Sequence, residues 1–486
     1  MRRTDTTALL TFLVLLSLIH LLLNPRPVQA SQVSMSGEHF VYGASFTNRN
    51  FTGWSLDGTH TEDSFTIWQR LRLRTDYKQN DNLAFSLWLQ VNNTPWGNGT
   101  LTVDNPAVSV QVFKAYIQFK LPGSDVEVTA GKQTVTLPQS EGFSGNIVLD
   151  SELGALVTKI PLLDQASLVL GFGRLLSYEN ALEDITLSRH DVFDLAFFTL
   201  PITTEPVAFI PWAALGLFMN DGVARPYSGP DGPPDLGYIR QELLSLGYFA
   251  DRPGFRRATV PYAWAGAALK IISGEFTLFS DIVAGAGGMG DALKNLRRGV
   301  FLDSALQYEG LSWATPRIFG WWSSGEDADT RNGTERLPAI VRTWNSGTSY
   351  LFSTGQTFDN TTSINASPIG AWGLGTSLDN IGLITDLFSR VTAVYMRGTN
   401  DPAPLRRSVM ANGPGYMATM GKNLSVNEHL IGVNIDHTLS LGHGLKLVVE
   451  TGWAHAGGLQ KSIWTPRFVN AASDSWKVSG GFLFTF

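Results

Sequence analysis

Arg70, Arg72 and Arg74 stand at alternate positions of the run Phe65-Thr66-Ile67-Trp68-Gln69-Arg70-Leu71-Arg72-Leu73-Arg74-Thr75-Asp76. Side chains of an extended strand alternate between its faces. The three guanidiniums therefore share one face, and Phe65, Leu71 and Leu73 take the other. In a membrane wall the apolar face must meet lipid, because an arginine there costs about 2–4 kcal/mol at the midplane. The arginines then line a wet interior, where fixed cations either pair with acids or set the potential that sorts ions. The two roles coexist where an acidic loop faces the ladder. Thr136 to Asp150 offers such a loop, with Glu141, Asp150, two glycines and Phe143. Arg70, Arg72, Arg74, Glu141 and Asp150 are thus the candidate constriction. Further candidates for the same interior are Lys114, Lys120, Glu127, Asp303, Glu309, Asp436, Lys446 and Glu450. Taken singly, each of these reads as an ordinary solvated wall residue.

Other constellations carry less. No histidine sits beside a serine or carboxylate in a hydrolase-like pattern, and Gly142-Phe143-Ser144-Gly145 is one residue short of a nucleophile elbow. No histidine pair has metal-ligand spacing with an acidic third partner, so neither metal nor cofactor is called for. Gly285-Ala286-Gly287-Gly288-Met289-Gly290 matches a dinucleotide pattern, but its flanks alternate in polarity and no crossover helix follows. It reads as a glycine-rich loop. Glu326-Asp327-Ala328-Asp329 reads as a solvated acidic loop, since its spacing to Asn332-Gly333 matches no known calcium loop. Asn98-Gly99-Thr100 and Asn332-Gly333-Thr334 are loop composition rather than glycosylation acceptors.

The elements that must position these residues are strands. Strand-like sequence begins near His39-Phe40-Val41-Tyr42, continues over Phe65 to Tyr77, and returns at Leu83 to Asn92 after a tight polar turn. Seven more short turns follow, at Leu121 to Asp125, Pro161 to Gln165, Pro201 to Pro206, Ser273-Gly274, Gly310 to Pro316, Leu378 to Leu383 and Leu441 to Gly444. Long polar, Gly- or Asn-rich connections lie between them. This alternation predicts an all-β, transmembrane antiparallel β-barrel of eighteen strands, short turns on one side and long external loops on the other. Sixteen strands stays open, because Gly370 to Leu378 is glycine-rich and Ala339 to Thr354 could hold its own hairpin. A barrel of this size encloses an aqueous channel. Pro233-Pro234-Asp235 followed by Leu236 to Phe249 predicts one short loop helix.

Both ends agree. Residues 1–30 read as a cleaved signal peptide, with Arg2 and Arg3 before the apolar run Ala8 to Leu23 and small residues Val28 and Ala30 at the cleavage site. A retained anchor is the alternative. Residues 31–486 form the barrel domain. The last strand places Trp476, Val478, Phe482, Phe484 and Phe486 on one face, opposite Lys477, Ser479 and Thr485. Phe482, Phe484 and Phe486 would serve as the signal read by a barrel-assembly machinery. The chain has no cysteine, and after Ala30 no second membrane helix is credible. Without Arg2, Arg3, Arg26 and Asp5 it keeps 33 basic and 41 acidic residues, a net charge of −8, which excludes a phosphate-binding surface for nucleic acid.

Phe65 to Asp76, then Trp96-Gly97-Asn98-Gly99-Thr100 and Thr102-Val103-Asp104-Asn105-Pro106-Ala107-Val108-Ser109, resembles the outer membrane homotrimeric porin family of sulfate-reducing, Desulfovibrio-type bacteria. Asp125 to Gly131, Lys159-Ile160-Pro161 and the aromatic C-terminus continue the likeness over the mature chain. The resemblance implies a homotrimer of water-filled barrels in a Gram-negative outer membrane, passing small hydrophilic solutes and ions, without catalysis. In the wider group of trimeric porins the third external loop folds into the barrel. Setting Glu141 and Asp150 against the arginine ladder extends that idea to this chain. The competing readings are a lipase-like barrel enzyme, a substrate-specific or plugged transporter, and a soluble exported sandwich.

Overall fold

The computed structural model describes residues 31–53, 64–96, 110–179, 190–219, 257–329, 331–352, 357–358, 363–412 and 423–486. The signal-peptide reading, the loop helix at 236–249 and the stretch 97–109 lie outside them. The strands are β1 Gln32–Thr47, β2 Ser64–Asn80, β3 Leu83–Pro95, β4 Val110–Lys120, β5 Glu127–Thr136 and β6 Asp150–Leu163. Then come β7 Ala166–Glu179, β8 in two pieces (His190–Thr199 and Ile202–Thr204), β9 Val207–Met219, β10 Thr259–Ser273, β11 Phe276–Gly287 and β12 Arg297–Tyr308. The remainder are β13 Thr315–Ser323, β14 Ala371–Ile384, β15 Leu387–Gly398, β16 His429–Gly442, β17 Leu445–Gly457 and β18 Ser475–Thr485. Two helices, α1 Pro402–Asn412 and α2 Lys461–Ala471, sit in the connections before β16 and β18. Among the described residues no helix is long and apolar enough to cross a membrane.

Every strand pairs antiparallel with its sequence neighbours, and β1 pairs with β18, so the sheet closes as an eighteen-strand barrel. The two pieces of β8 are one strand broken at Leu200-Pro201, since both pair with β9. Proline lacks the N–H that a ladder needs, and the interruption falls where one stands. Closure is completed by the last residue. Phe486 N–H donates to the Gly37 carbonyl at 3.1 Å and its carbonyl accepts from Gly37 N–H at 2.8 Å. Phe482, Phe484 and Phe486 are all exposed on the outer face, with Lys477 and Ser479 buried on the inner one.

The short turns gather at one end, as the sequence predicts, with one displacement. The turn expected at Leu378 to Leu383 is strand: β14 runs to Ile384, and the turn lies at 385–386. The Asp379-Asn380 pair has turn chemistry, but a register irregularity between Leu378 and Ile381 absorbs it, with Asn380 at φ 52°. Residues 339–354 hold no hairpin within their described part, so sixteen strands is excluded. They belong to the connection 324–370, here loop 7, which folds into the barrel beside the connection 137–149, here loop 3.

That infolding fills much of the expected aqueous channel with apolar side chains. Inner-face residues such as Phe40, Tyr42, Trp212, Tyr262, Trp264 and Trp321 are buried against Phe143, Ile147, Leu337, Trp344, Tyr350 and Phe352 of the two loops. The apolar core of this molecule lies inside the barrel, and lipid-facing residues such as Leu215 and Phe172 form a second apolar surface outside. Strands next to the loops are therefore apolar on both faces, which is why β9 reads Val-Ala-Phe-Ile-Pro-Trp-Ala-Ala-Leu-Gly-Leu-Phe-Met.

Candidate functional site

Loops 3 and 7 are knitted by main-chain bonds. Ser144 and Asn345 exchange both N–H···O=C bonds, at 3.1 and 2.9 Å, and Ile340 and Val341 donate to the Val148 carbonyl at 2.8 and 3.0 Å. The fully buried Asn146 shapes loop 3 from within. Its amide donates to the Leu137 and Pro138 carbonyls, and its oxygen accepts from the N–H groups of Val148 and Leu149. Gly145 has φ +72°, and a Cβ there would lie 2.2 Å from Thr343 Oγ1, so only glycine allows the loops to meet. Trp344 centres the packing, stacked on Phe143 at 5.2 Å and set edge-on to Phe301 and Phe352, each at 5.4 Å.

Polar anchors tie this plug to the wall. Trp344 Nε1 donates to Asp303 Oδ2 at 2.7 Å, and Gln139 Nε2 bridges Asp281 (2.7 Å) and Asp303 (3.0 Å). Asp303 is thus a buried anchor rather than a solvated wall residue. Arg317, on β13, donates to the Gly142 carbonyl of loop 3 and, at 2.7 Å, to the Ser346 carbonyl of loop 7. One planar guanidinium holds the tips of both loops, a geometry that its forked donors suit. Below the tips lies a cavity of about 620 Å³, lined among others by Glu141, Arg317, Asp379, Arg390 and Asp436.

The arginine ladder faces inward, but not toward the loop-3 acids. Arg70 and Arg72 share Glu38 of β1, at 2.9 and 3.2 Å, and Arg74 reaches Asp76 at 2.5 Å. Glu141 instead pairs with Lys270 on β10 at 2.5 Å. Asp150, at the root of loop 3, accepts from the hydroxyls of Thr136 and Thr343. The expected opposition of Glu141 and Asp150 to the ladder is therefore corrected. The acid that serves the ladder comes from the adjacent strand, where Glu38 stands directly across from Arg72.

Each ladder cation also lies over a ring: Arg70 over Phe40 (4.2 Å), Arg72 over Phe113 (4.2 Å), Arg74 over Trp88 (5.0 Å), with Lys114 over Trp88 at 4.5 Å. An irregularity between β3 and β4 at Trp88/Leu89 leaves one residue extra on β4, which lets Phe113 and Lys114 both reach inward. Side-chain exposure rises from 11% at Arg70 through 24% at Arg72 to 41% at Arg74, so the ladder is wettest toward the short-turn end.

The remaining candidates divide by environment. Asp436 pairs with Arg390 at 2.8 Å and accepts from Ser349 of loop 7 at 2.6 Å. Glu450 is wholly buried, paired with Lys477 at 2.8 Å, and accepts from Thr357 N–H; like Asp303 it is no solvated wall residue. Lys120 lies 3.7 Å from Asp125 and 3.9 Å from Glu127 near a short turn. Lys446 is exposed near that same end. Glu309 is corrected: it lies in the exposed connection 309–314, off the wall, and accepts from Gln307. Glu326 is corrected too, being buried rather than solvated. Sequence reasoning missed Glu38, Lys270, Arg317, Arg390 and Lys477. All five stand at inner positions readable from strand alternation, Lys477 among them, but nothing local marks any of them with its partner.

No family model and no curated protein matches this chain. Solved structures do. The chain is similar to OprD of Pseudomonas aeruginosa at 9% identity and TM-score 0.50, over 94% of this chain and 97% of that one. A BenF-like porin from Pseudomonas fluorescens Pf-5 gives 11% identity and TM-score 0.50, over 94% and 100%. Pseudomonas aeruginosa OccK2 (OpdF), solved in complex with glucuronate, gives 11% and 0.50, over 94% and 99%. The fold is that of a porin barrel.

Proposed function

We propose that this chain is an outer-membrane porin that passes small hydrophilic solutes and ions by passive diffusion, through a lumen narrowed by loops 3 and 7. One observation carries the reading: a closed barrel with an apolar outer belt whose interior holds charged walls around two loops pinned to them. The passage follows the polar inner faces of β2 to β4, beside Arg70, Arg72, Arg74 and Lys114, because the opposite side, like the inner face of β1 from Phe40 to Phe46, is packed with apolar loop residues. Transport needs no chemistry, only sieving and electrostatic sorting. The extent of infolding favours a narrow, solute-selective channel over a wide general one.

A homotrimer fits the outer surface. Lys132, Thr134, Glu152, Arg174 and Asp194 project from the outer faces of β5 to β8 toward the long-loop end, where other strands present leucine and phenylalanine. A second copy of the chain would cover such a patch better than lipid does. Liposome swelling with neutral sugars of increasing size, and with sugar acids of matched size, tests the channel. Swelling limited to small solutes supports the proposal. Impermeable vesicles containing folded protein would refute it. Cross-linking in detergent that stops at dimers would remove the trimer.

A further inference from the structure

We infer that the start of loop 7 is a calcium site built from Glu326, Asp327 and Glu335. One carboxylate oxygen from each lies within 4.8 Å of the others. Oxygens around calcium sit at about 2.3–2.6 Å from the ion, so two ligands on opposite sides are separated by roughly 5 Å. The three groups are therefore already spaced to share one ion, and a set of carboxylates without histidine or cysteine suits a hard cation.

Glu326 supplies the observation that an acidic cluster alone would lack. Its residue is 2% exposed, and neither carboxylate oxygen makes a close hydrogen bond to a described residue, its polar surroundings being Thr334 and the Arg297 and Arg336 guanidiniums. Leaving a buried carboxylate unpartnered is costly, and a cation would relieve it. The backbone holds it in place: Glu326 N–H donates to Asn400 Oδ1 at 3.1 Å, and its carbonyl accepts from Asp401 N–H at 2.7 Å.

The Asn332 amide donates to Asp327 Oδ2 at 2.8 Å, and its own oxygen is buried without a described partner. Arg298 lies 3.6 Å from Glu335, too far for a tight pair, and is mostly exposed. Binding would tie residues 326–327 to 332–335 and so fix the root of the segment that enters the barrel.

The test uses the full-length protein, stripped with chelator in detergent at pH 7.5, and radioactive calcium in equilibrium dialysis. One calcium per chain is expected. Glu326→Gln and Asp327→Asn should each weaken it at least tenfold, while the folded band in unheated electrophoresis persists. Calcium should also raise the thermal midpoint of the parent protein and leave that of Glu326→Gln unmoved. No bound calcium in the parent protein, or equal binding by Glu326→Gln, would overturn the site.

Discussion

Replacing Arg317 with alanine should release the tips of both loops at once. The guanidinium donates to one carbonyl of loop 3 and one of loop 7, and to Ser377 Oγ at 3.2 Å on its own wall. Hydrogen bonds from a charged donor contribute about 1.5–3 kcal/mol each, so the two loop contacts amount to roughly 3–6 kcal/mol before relaxation. The cavity beneath them lets water reach the freed carbonyls, which reduces the loss to about 2–4 kcal/mol. At 1.4 kcal/mol per tenfold, loop-released states become roughly 30- to 700-fold more populated. The Asp379 contact is longer, at 3.6 Å. In planar bilayers, Arg317→Ala should show larger and noisier steps than the parent channel. Arg317→Lys should fall between them, since an ammonium keeps the charge but not the fork. If folded Arg317→Ala channels match the parent in conductance and open-channel noise, the loop tips are held by something other than this clamp.

Three further outcomes are expected. Serine at Arg70, Arg72 and Arg74 together should move the reversal potential under a salt gradient toward cations, most at low salt where screening is weak; Glu38→Gln should move it toward anions, and an unmoved potential in both would make the ladder an inert ion-pair network. Lys477→Met leaves Glu450 charged in a dry setting and should cost about 3–5 kcal/mol in urea unfolding from vesicles, with much of it recovered in Lys477→Met/Glu450→Gln. A single variant as stable as the parent would deny the pair its structural role. Deleting Phe486 removes both closing bonds to Gly37 and one lipid-facing ring, so outer-membrane yield should fall; unchanged yield would show that the C-terminal aromatic is no assembly signal.

The barrel was legible because closure is local. Each hairpin needs only period-two alternation and a turn, and both recur along the chain. Phe486 and the ladder were legible for the same reason, since a face can be read off one strand. The turn at 385–386 was misplaced because Asp379-Asn380 carries turn chemistry that a bulge can use equally well. The contents of the lumen were hidden for a different reason. Ser144 meets Asn345, and Arg317 meets Gly142 and Ser346, across separations that no local pattern encodes. A hint was present: an uncharged, aromatic stretch from Trp344 to Phe352 in a connection that ought to face water, together with strands apolar on both faces. A loop that buries tryptophan must have a wall to bury it against.

The direct test of a passage set by two interlocked loops is a covalent lock between them. The chain has no cysteine, so Ser144→Cys/Asn345→Cys introduces a single possible bridge, at positions whose main chains already exchange two hydrogen bonds. The bridge is expected to form in folded barrels, with single-channel conductance the same oxidised and reduced. A pair that stays reduced, or an oxidised channel that no longer conducts, would contradict it, for the loops would then have to part for solute to pass.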